Sequence, residues 1–175
     1  NRQLYRTLCF YTKPVIAAVE GYCLGGGFEM SMWGDMIVAG EGASFGLPEV
    51  TRSLIPGGGG TQNLPRAAGS RRAKEILYTG RPFTAAEGLE WGIVNKVTSA
   101  EELLPAALAT AARMAGNGPL ALRQLKRSVN LGAGTDLTTA LGIEVEAYNR
   151  LVPTEDRHEG VLAFNEKRKA NFVGR

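Results

Sequence analysis

The sequence predicts an α/β protein whose C-terminal part is helical. Short apolar segments beside glycine-rich turns and helix-like sequence predict strands at 15–19, 36–39 and 93–97. Beyond residue 98 the pattern is helical to the end of the chain. We therefore divide the chain into an α/β part, residues 1–98, and a helical part, residues 99–175.

Capping signals mark the helix boundaries. Gly80 is a predicted C-cap for a helix over 70–78. Thr84 with Glu87, and Ser99 with Glu102, have the spacing of capping boxes. The helical part is predicted to contain four helices: one ending near Ala115, one starting at Pro119, and two over 137–151 and 155–168.

Composition excludes several classes of protein. The net charge of +3 is only mildly basic, which suits an anionic small molecule better than nucleic acid, and no nucleic-acid partner is expected. Cys9, Cys23 and His158 are too few for a zinc site or a disulfide framework, so no metal is expected. This usage favours a reducing compartment, the cytoplasm or alternatively the mitochondrial matrix. No apolar run reaches membrane-spanning length, so no membrane partner is expected.

The most informative segment is the glycine run at 21–29, which joins an apolar strand to a predicted helix. A helix start presents free backbone N–H groups at the positive end of the helix dipole, and glycine lets a ligand approach them closely. The run therefore predicts an anion or oxyanion site. Glu29 lies about one turn inside the helix, near whatever is bound there.

A second glutamate, Glu49, lies between a predicted strand and the glycine turn at 57–60. Two carboxylates beside an oxyanion site suit proton transfer next to a developing enolate. The alternative for each is a solvated surface residue, although Trp33 stands where a basic partner of Glu29 would be. Trp33 itself is predicted to be a core residue. The glycine turn is either a tight connection capped by Thr61 or a loop whose Gly57 N–H holds a substrate or water.

These motifs resemble the crotonase (enoyl-CoA hydratase/isomerase) superfamily. The resemblance rests on ordered motifs at consistent spacing over essentially the whole chain: 13–19, 21–29, 45–49, 55–62, 79–81, 85–87, 91–95 and 164–168. It implies a spiral of ββα units followed by a helical trimerisation region, and hence a homotrimer or a dimer of trimers. The chain opens at Asn1 without a methionine, so we expect an N-terminal segment or a further chain to complete the core.

The resemblance also implies a reaction site for acyl-CoA thioesters, with no cofactor beyond the coenzyme A of the substrate. Gly26 corresponds to one oxyanion donor, and the second donor lies in the N-terminal part that this chain lacks. Glu29 and Glu49 correspond to the glutamates that position and activate water in the hydratases. Gly57 corresponds to a backbone donor near that water.

Further site residues follow from the same resemblance. Gly25 and Pro48 adjoin these groups and are assigned to substrate binding. Phe164 and Lys167 correspond to a C-terminal region that approaches the CoA of a neighbouring subunit. Both glutamates together favour an enoyl-CoA hydratase. Isomerase chemistry, a carnitinyl-CoA or methylglutaconyl-CoA type of hydratase, and a non-catalytic assembly half are the alternatives.

Overall fold

The computed structural model describes residues 2–175, and it divides into two compact units. The first contains the residues up to Phe10 together with Val15–Thr110, and the second contains Tyr11–Pro14 with Ala111–Arg175. The division therefore falls inside the helix Ala100–Ala115, whereas the sequence placed it just before that helix.

Within the described residues of the first unit, six strands form two small sheets. They are β1 (Ile16–Val19), β2 (Tyr22–Leu24), β3 (Met36–Gly40), β4 (Ser44–Gly46), β5 (Phe83–Thr84) and β6 (Lys96–Thr98). Strands β1, β3 and β6 pair in parallel in that order. Strands β2 and β4 also pair in parallel, and β5 adds antiparallel to β4. The predictions of β1, β3 and β6 are confirmed, with β6 starting later than predicted.

Two ββα units follow one another along the chain. In each, the first strand (β1, then β3) joins one sheet and the second (β2, then β4) joins the other. The register pairs Ala17 with Ile37 in the first sheet and Cys23 with Phe45 in the second. The expected ββα arrangement is thus present, and α2 and α3 follow the two strand pairs.

Helices account for most of the remaining residues. In the first unit they are α1 (Arg2–Phe10), α2 (Gly26–Met32), a 3₁₀ helix (Pro48–Arg52), α3 (Gly60–Thr79) and α4 (Ala85–Glu90). Helix α3 is kinked at Gly69, where φ is 74°, and ends at Gly80 in the left-handed conformation, as predicted. The capping box of Thr84 and Glu87 is confirmed, because each side chain accepts a hydrogen bond from the other residue's backbone N–H.

The remaining helices are α5 (Ala100–Ala115), α6 (Pro119–Gly132), α7 (Leu137–Asn149) and α8 (Glu155–Asn165). All four were predicted, and Pro119 occupies the first helical position. Thr154 caps α8 by accepting a hydrogen bond from the N–H of Arg157. Among the helices of residues 2–175, none has the length and apolar character needed to cross a membrane.

Three buried aromatic rings anchor the core of the first unit. Phe28 of α2 lies 5.5 Å from both Phe45 and Phe83, measured between ring centroids. Phe45 and Phe83 stack at 5.6 Å. Full burial of one such side chain contributes about 1.5–3 kcal/mol. Because Phe28 is fixed in this way, the neighbouring Glu29 leaves α2 in a defined direction.

Candidate active site

The glycine run forms the start of α2 in the way that an anion site requires. Gly25 adopts φ 55° and ψ −128°, a conformation available to glycine, and its N–H donates to the carbonyl of Gly46 at 2.9 Å. Helix α2 begins at the next residue, Gly26. Gly26 and Gly27 are exposed, and as residues of the first helical turn their N–H groups have no carbonyl partner within the helix.

Glu29 is buried, with 3% of its surface exposed, and one of its oxygens is held by the glycine turn. The N–H groups of Gly58 and Gly60 donate to Oε1 at 2.7 and 2.8 Å. Two such bonds compensate the carboxylate for its loss of water. Both bonds end on the same oxygen, so Oε2 remains the atom that can meet a water or a substrate.

Glu49 lies on the 3₁₀ helix directly after Pro48, and it faces the same glycine run. A Cβ atom at Gly25 would lie 3.2 Å from Glu49 Oε1, so only glycine fits there without displacing the carboxylate. Within the described residues, Glu49 Oε2 is buried and has no hydrogen-bond partner. A buried unpaired oxygen is costly, which indicates a place for a ligand or water.

Gly60 lies between the Glu29 carboxylate and the segment that leads to Glu49. Gly60, whose N–H donates to Glu29, is packed so closely that its site has no room for a side chain. A Cβ atom there would lie 2.9 Å from Leu47 Cδ1 and 3.1 Å from Glu29 Oε1. Leu47 stands two residues before Glu49 on the segment that leads into the 3₁₀ helix. The structure thus brings Gly25, Glu29, Glu49 and the glycine turn into one neighbourhood.

The structure overturns one of the two interpretations of the glycine turn. Helix α3 starts at Gly60 with Gly59 as its N-cap, so the alternative in which Thr61 caps the helix is wrong. The N–H groups of Gly58 and Gly60 hold Glu29, a contact that neither interpretation included. Gly57 is exposed, with open space around it, and its predicted contact with water stays a prediction.

Two aromatic side chains at the site were not identified from the sequence. Trp33 was predicted to be a core residue, but it is only partly buried and its indole lies against the glycine turn. Tyr5 of α1 lies between two glycines of the site. Its Oη would be 2.6 Å from a Cβ atom at Gly58 and 3.6 Å from one at Gly26. Both contacts join distant parts of the chain, and no local motif signals them.

Cys23 lies within the glycine run, yet its environment does not favour a nucleophile. The side chain is buried, and Sγ is 3.6 Å from Ser31 Oγ. Burial raises the pKa of the Cys23 thiol, which keeps the sulfur protonated near neutral pH. Covalent catalysis by this thiol is therefore disfavoured.

Phe164 and Lys167 belong to the second unit, at the C-terminal end of α8. Phe164 is 82% exposed, and its carbonyl accepts a hydrogen bond from the N–H of Lys167 at 3.2 Å. Lys167 adopts φ 55°, which ends the helix. Their contact with CoA stays a prediction.

Comparison with known proteins identifies the family. The model of the family described as enoyl-CoA hydratase/isomerase matches residues 1–175, and the chain belongs to this family. The resemblance to the crotonase superfamily is thereby confirmed. A crystal structure of the enoyl-CoA hydratase from Bacillus anthracis superposes with a TM-score of 0.97 at 44% identity, covering 99% of this chain and 67% of that one. The crotonase fold predicted for this chain is confirmed as well.

Two curated relatives illustrate how far the match extends. The Bacillus subtilis protein YngF is 50% identical over 93% of this chain, which spans 62% of its length. The crotonyl-CoA hydratase of Syntrophomonas wolfei is 45% identical over 100% of this chain and 67% of its own length. The chain thus spans about two thirds of the length of these relatives.

Proposed function

We propose that this chain catalyses the reversible syn addition of water to the double bond of a 2-enoyl-CoA thioester. One observation carries the proposal. A buried carboxylate, Glu29, is held through one oxygen beside the exposed helix start at Gly26, and the second carboxylate, Glu49, keeps an unpartnered oxygen on the same glycine run. The name of the Syntrophomonas wolfei relative supports the same reaction.

The exposed N–H of Gly26 is the proposed donor to the thioester oxygen. Negative charge develops on that oxygen when the double bond is attacked, and a preorganised N–H group stabilises it. Loss of one such donor typically lowers turnover by about 10²–10³. A second donor, by the resemblance, comes from sequence N-terminal to this chain.

The two glutamates divide the proton transfers between them. Glu29 takes a proton from the water whose oxygen bonds to C3, and the electrons of the double bond move to the thioester as an enolate. Glu49 then gives a proton to C2 as the enolate collapses. A proton passing from Glu29 to Glu49, directly or through solvent, restores both groups, so the net change is the addition of one water. Gly57 is the proposed N–H donor to that water, and Pro48 places Glu49 at the start of its helix.

The reaction so written requires no cofactor beyond the coenzyme A of the substrate. We propose that Phe164 and Lys167 contact the CoA bound to a neighbouring subunit of a homotrimer or a dimer of trimers. Large apolar side chains exposed on α6–α8 support such an assembly, because extended apolar surface marks protein interfaces; among them are Leu125, Val129, Leu137, Tyr148 and Phe164. The bacterial origin of the relatives compared above supports the cytoplasm as its compartment.

Hydration of crotonyl-CoA, followed as loss of absorbance of the conjugated thioester, tests the proposal. The assay uses purified protein with every co-purifying chain, because this chain spans about two thirds of its relatives. The comparison is wild type against Glu49→Gln, with Glu90→Gln as the matched control, since Glu90 is an exposed glutamate of α4. We expect Glu49→Gln to lower kcat by about 10²–10⁴ and Glu90→Gln to leave it unchanged.

Binding of coenzyme A, measured by calorimetry, separates the remaining outcomes. If wild-type protein binds CoA but does not hydrate crotonyl-CoA, we would assign it a substrate with a different acyl group, or isomerase chemistry. If the protein neither hydrates crotonyl-CoA nor binds CoA, we would assign the chain a non-catalytic assembly role. Full activity in Glu49→Gln would contradict the role given to this residue.

A further inference from the structure

Trp33 lies one helical turn after Glu29, at the C-terminal end of α2. Residues four apart share a helix face, so both side chains point toward the glycine turn. The indole Nε1 of Trp33 donates to the carbonyl of Gly58 at 2.6 Å. Glu29 Oε1 accepts from the N–H of the same glycine at 2.7 Å. One helix face therefore holds Gly58 through both its N–H and its carbonyl.

Gly59 completes this contact by lying against the indole ring. Its φ is 111°, and a Cβ atom there would lie 2.8 Å from Trp33 Cζ2 and 3.0 Å from Nε1. Such a distance leaves no room for a side chain, so the backbone itself packs on the ring. The next residue, Gly60, donates the second hydrogen bond to Glu29. The indole thus contacts Gly58 and Gly59, directly before the second donor.

We propose that Trp33 is a positioning residue for the reaction: its indole N–H and ring hold the glycine turn so that the N–H groups of Gly58 and Gly60 fix the Glu29 carboxylate. The proposal rests on the hydration reaction proposed above. Trp33 acts through Glu29 and does not touch the substrate. A carboxylate held through Oε1 alone keeps Oε2 in one direction, and a small misplacement of a reacting group lowers turnover without weakening binding.

Trp33→Phe tests this role, because it removes the N–H donor and keeps an aromatic ring. We expect kcat for crotonyl-CoA to fall about tenfold, the effect of one lost hydrogen bond that leaves a partly buried carbonyl unpaired, with KM nearly unchanged. Trp91→Phe is the matched control. Trp91 packs on Phe83 at 5.2 Å and beneath Arg72 at 4.4 Å, and its replacement should leave kcat unchanged.

A double-variant cycle distinguishes positioning from general structural support. In a Glu29→Gln background, Trp33→Phe should cause no further loss of kcat, because the group through which it acts is already gone. Hydrogen exchange gives a readout independent of activity. The amides of Gly58 and Gly60 should exchange faster in Trp33→Phe than in wild type or Trp91→Phe.

Several results would overturn the proposal. One is a Trp33→Phe variant with wild-type kcat and unchanged hydrogen exchange at Gly58 and Gly60. Another is a Trp33→Phe substitution that lowers kcat by the same factor in the wild-type and Glu29→Gln backgrounds. Should Trp33→Phe fold poorly, benzothienylalanine at position 33 keeps the shape of the indole and replaces its N–H by sulfur. Failure of the proposed function can be distinguished from failure of the positioning role, because wild-type protein would then be inactive before any variant is compared. The positioning role would fall with that function.

Discussion

Glu29 and Asp156 are both buried carboxylates that accept two backbone N–H groups, yet their oxygens are used differently. Both bonds to Glu29 end on Oε1. At Asp156, in the first turn of α8, Oδ1 accepts from the N–H of Val173 at 2.7 Å and Oδ2 accepts from that of Gly174 at 2.9 Å. The exposed fractions are similar, 3% for Glu29 and 6% for Asp156.

The comparison shows that burial does not by itself distinguish the carboxylate that we propose to be reactive from one that stabilises the fold. Each oxygen of Asp156 has a backbone partner, and the group binds the C-terminal tail to α8, where the helix dipole also favours a negative charge. Glu29 also accepts two backbone N–H groups, but both donate to Oε1, and we propose that Oε2 takes part in the reaction. The distribution of donors over the two oxygens is therefore the more informative property.

The largest expected effect follows from exchanging each carboxylate for its amide. Glu29→Gln should lower kcat for crotonyl-CoA by about 10²–10⁴, because an amide cannot take a proton from water. Its Oε1 can still accept both N–H groups, so the thermal midpoint should change little. Asp156→Asn should keep kcat. Steady-state kinetics of both variants checks this, and a similar loss of kcat in the two would break the comparison.

The converse is expected for stability. Asp156→Asn replaces one acceptor by an NH₂ group that faces a backbone N–H, so the free energy of unfolding should fall by about 1.5–3 kcal/mol. Urea unfolding measures the difference, with Glu29→Gln as the reference. An Asp156→Asn midpoint equal to that of wild type would show that the tail is held by other contacts.

A third prediction sharpens the comparison at the donors of Glu29. Gly60→Ala should destabilise the protein by about 1–3 kcal/mol, because overpacked sites shift their neighbours. The added Cβ would lie 2.8 Å from Pro56 Cβ and 3.1 Å from Glu29 Oε1. Gly57→Ala is the control, since its Cβ meets open space. Equal unfolding midpoints for the two variants would contradict the tight packing inferred at Gly60.

The smallest expected effect concerns another carboxylate, Glu159, which lies in the second unit. The Arg168 guanidinium, 2.6 Å away, and the N–H of Asn171 lower the pKa of Glu159 to about 2. The unfolded value is about 4.3. Because the folded pKa is the lower one, the stabilisation is present above about pH 4.3 and is lost as the pH falls toward 2.

Glu159→Gln should therefore lower the thermal midpoint slightly at pH 7 and progressively less as the pH falls from about 4 toward 2. Differential scanning fluorimetry of both proteins across this range measures the effect. The pair is partly exposed, so added salt should reduce the difference as well. A difference that grows on acidification would have the wrong sign for this linkage.

Much of the fold was predictable from local signals. Strands β1 and β3 are apolar segments next to glycine-rich turns, and the helix ends carry recognisable caps such as Thr84 and Gly80. Strand β6 overlaps the predicted segment only at 96–97, because the apolar residues 93–94 of that segment lie in the preceding turn. Strands β2, β4 and β5 were missed because they contain only two or three residues, too few to show an alternating pattern. The first half of α3 was covered only by the alternative in which Thr61 caps a helix, and it contains Pro65, which disfavours a helix interior.

The candidate site was predictable in its parts rather than in its arrangement. Glu29 and Glu49 were selected from their place beside glycine runs. In the structure the Glu29 carboxylate meets Gly58 and Gly60 of the second run, and Glu49 meets Gly25 of the first. The donors to Glu29 and the contact of Trp33 with the glycine turn were not predicted, because Glu29 is 29 residues from Gly58 and Trp33 is 25 residues from it. No local pattern carries information about such contacts.

The sequence by itself determined where this chain can approach a ligand closely and where its helices begin and end. Those properties depend on single residues and their neighbours: glycine at positive φ, a side chain that caps a helix, a proline at a first turn. Only the tertiary structure decided that Glu29 is held through one oxygen and Asp156 through two. That choice depends on which distant N–H groups the packing of the core brings to each carboxylate.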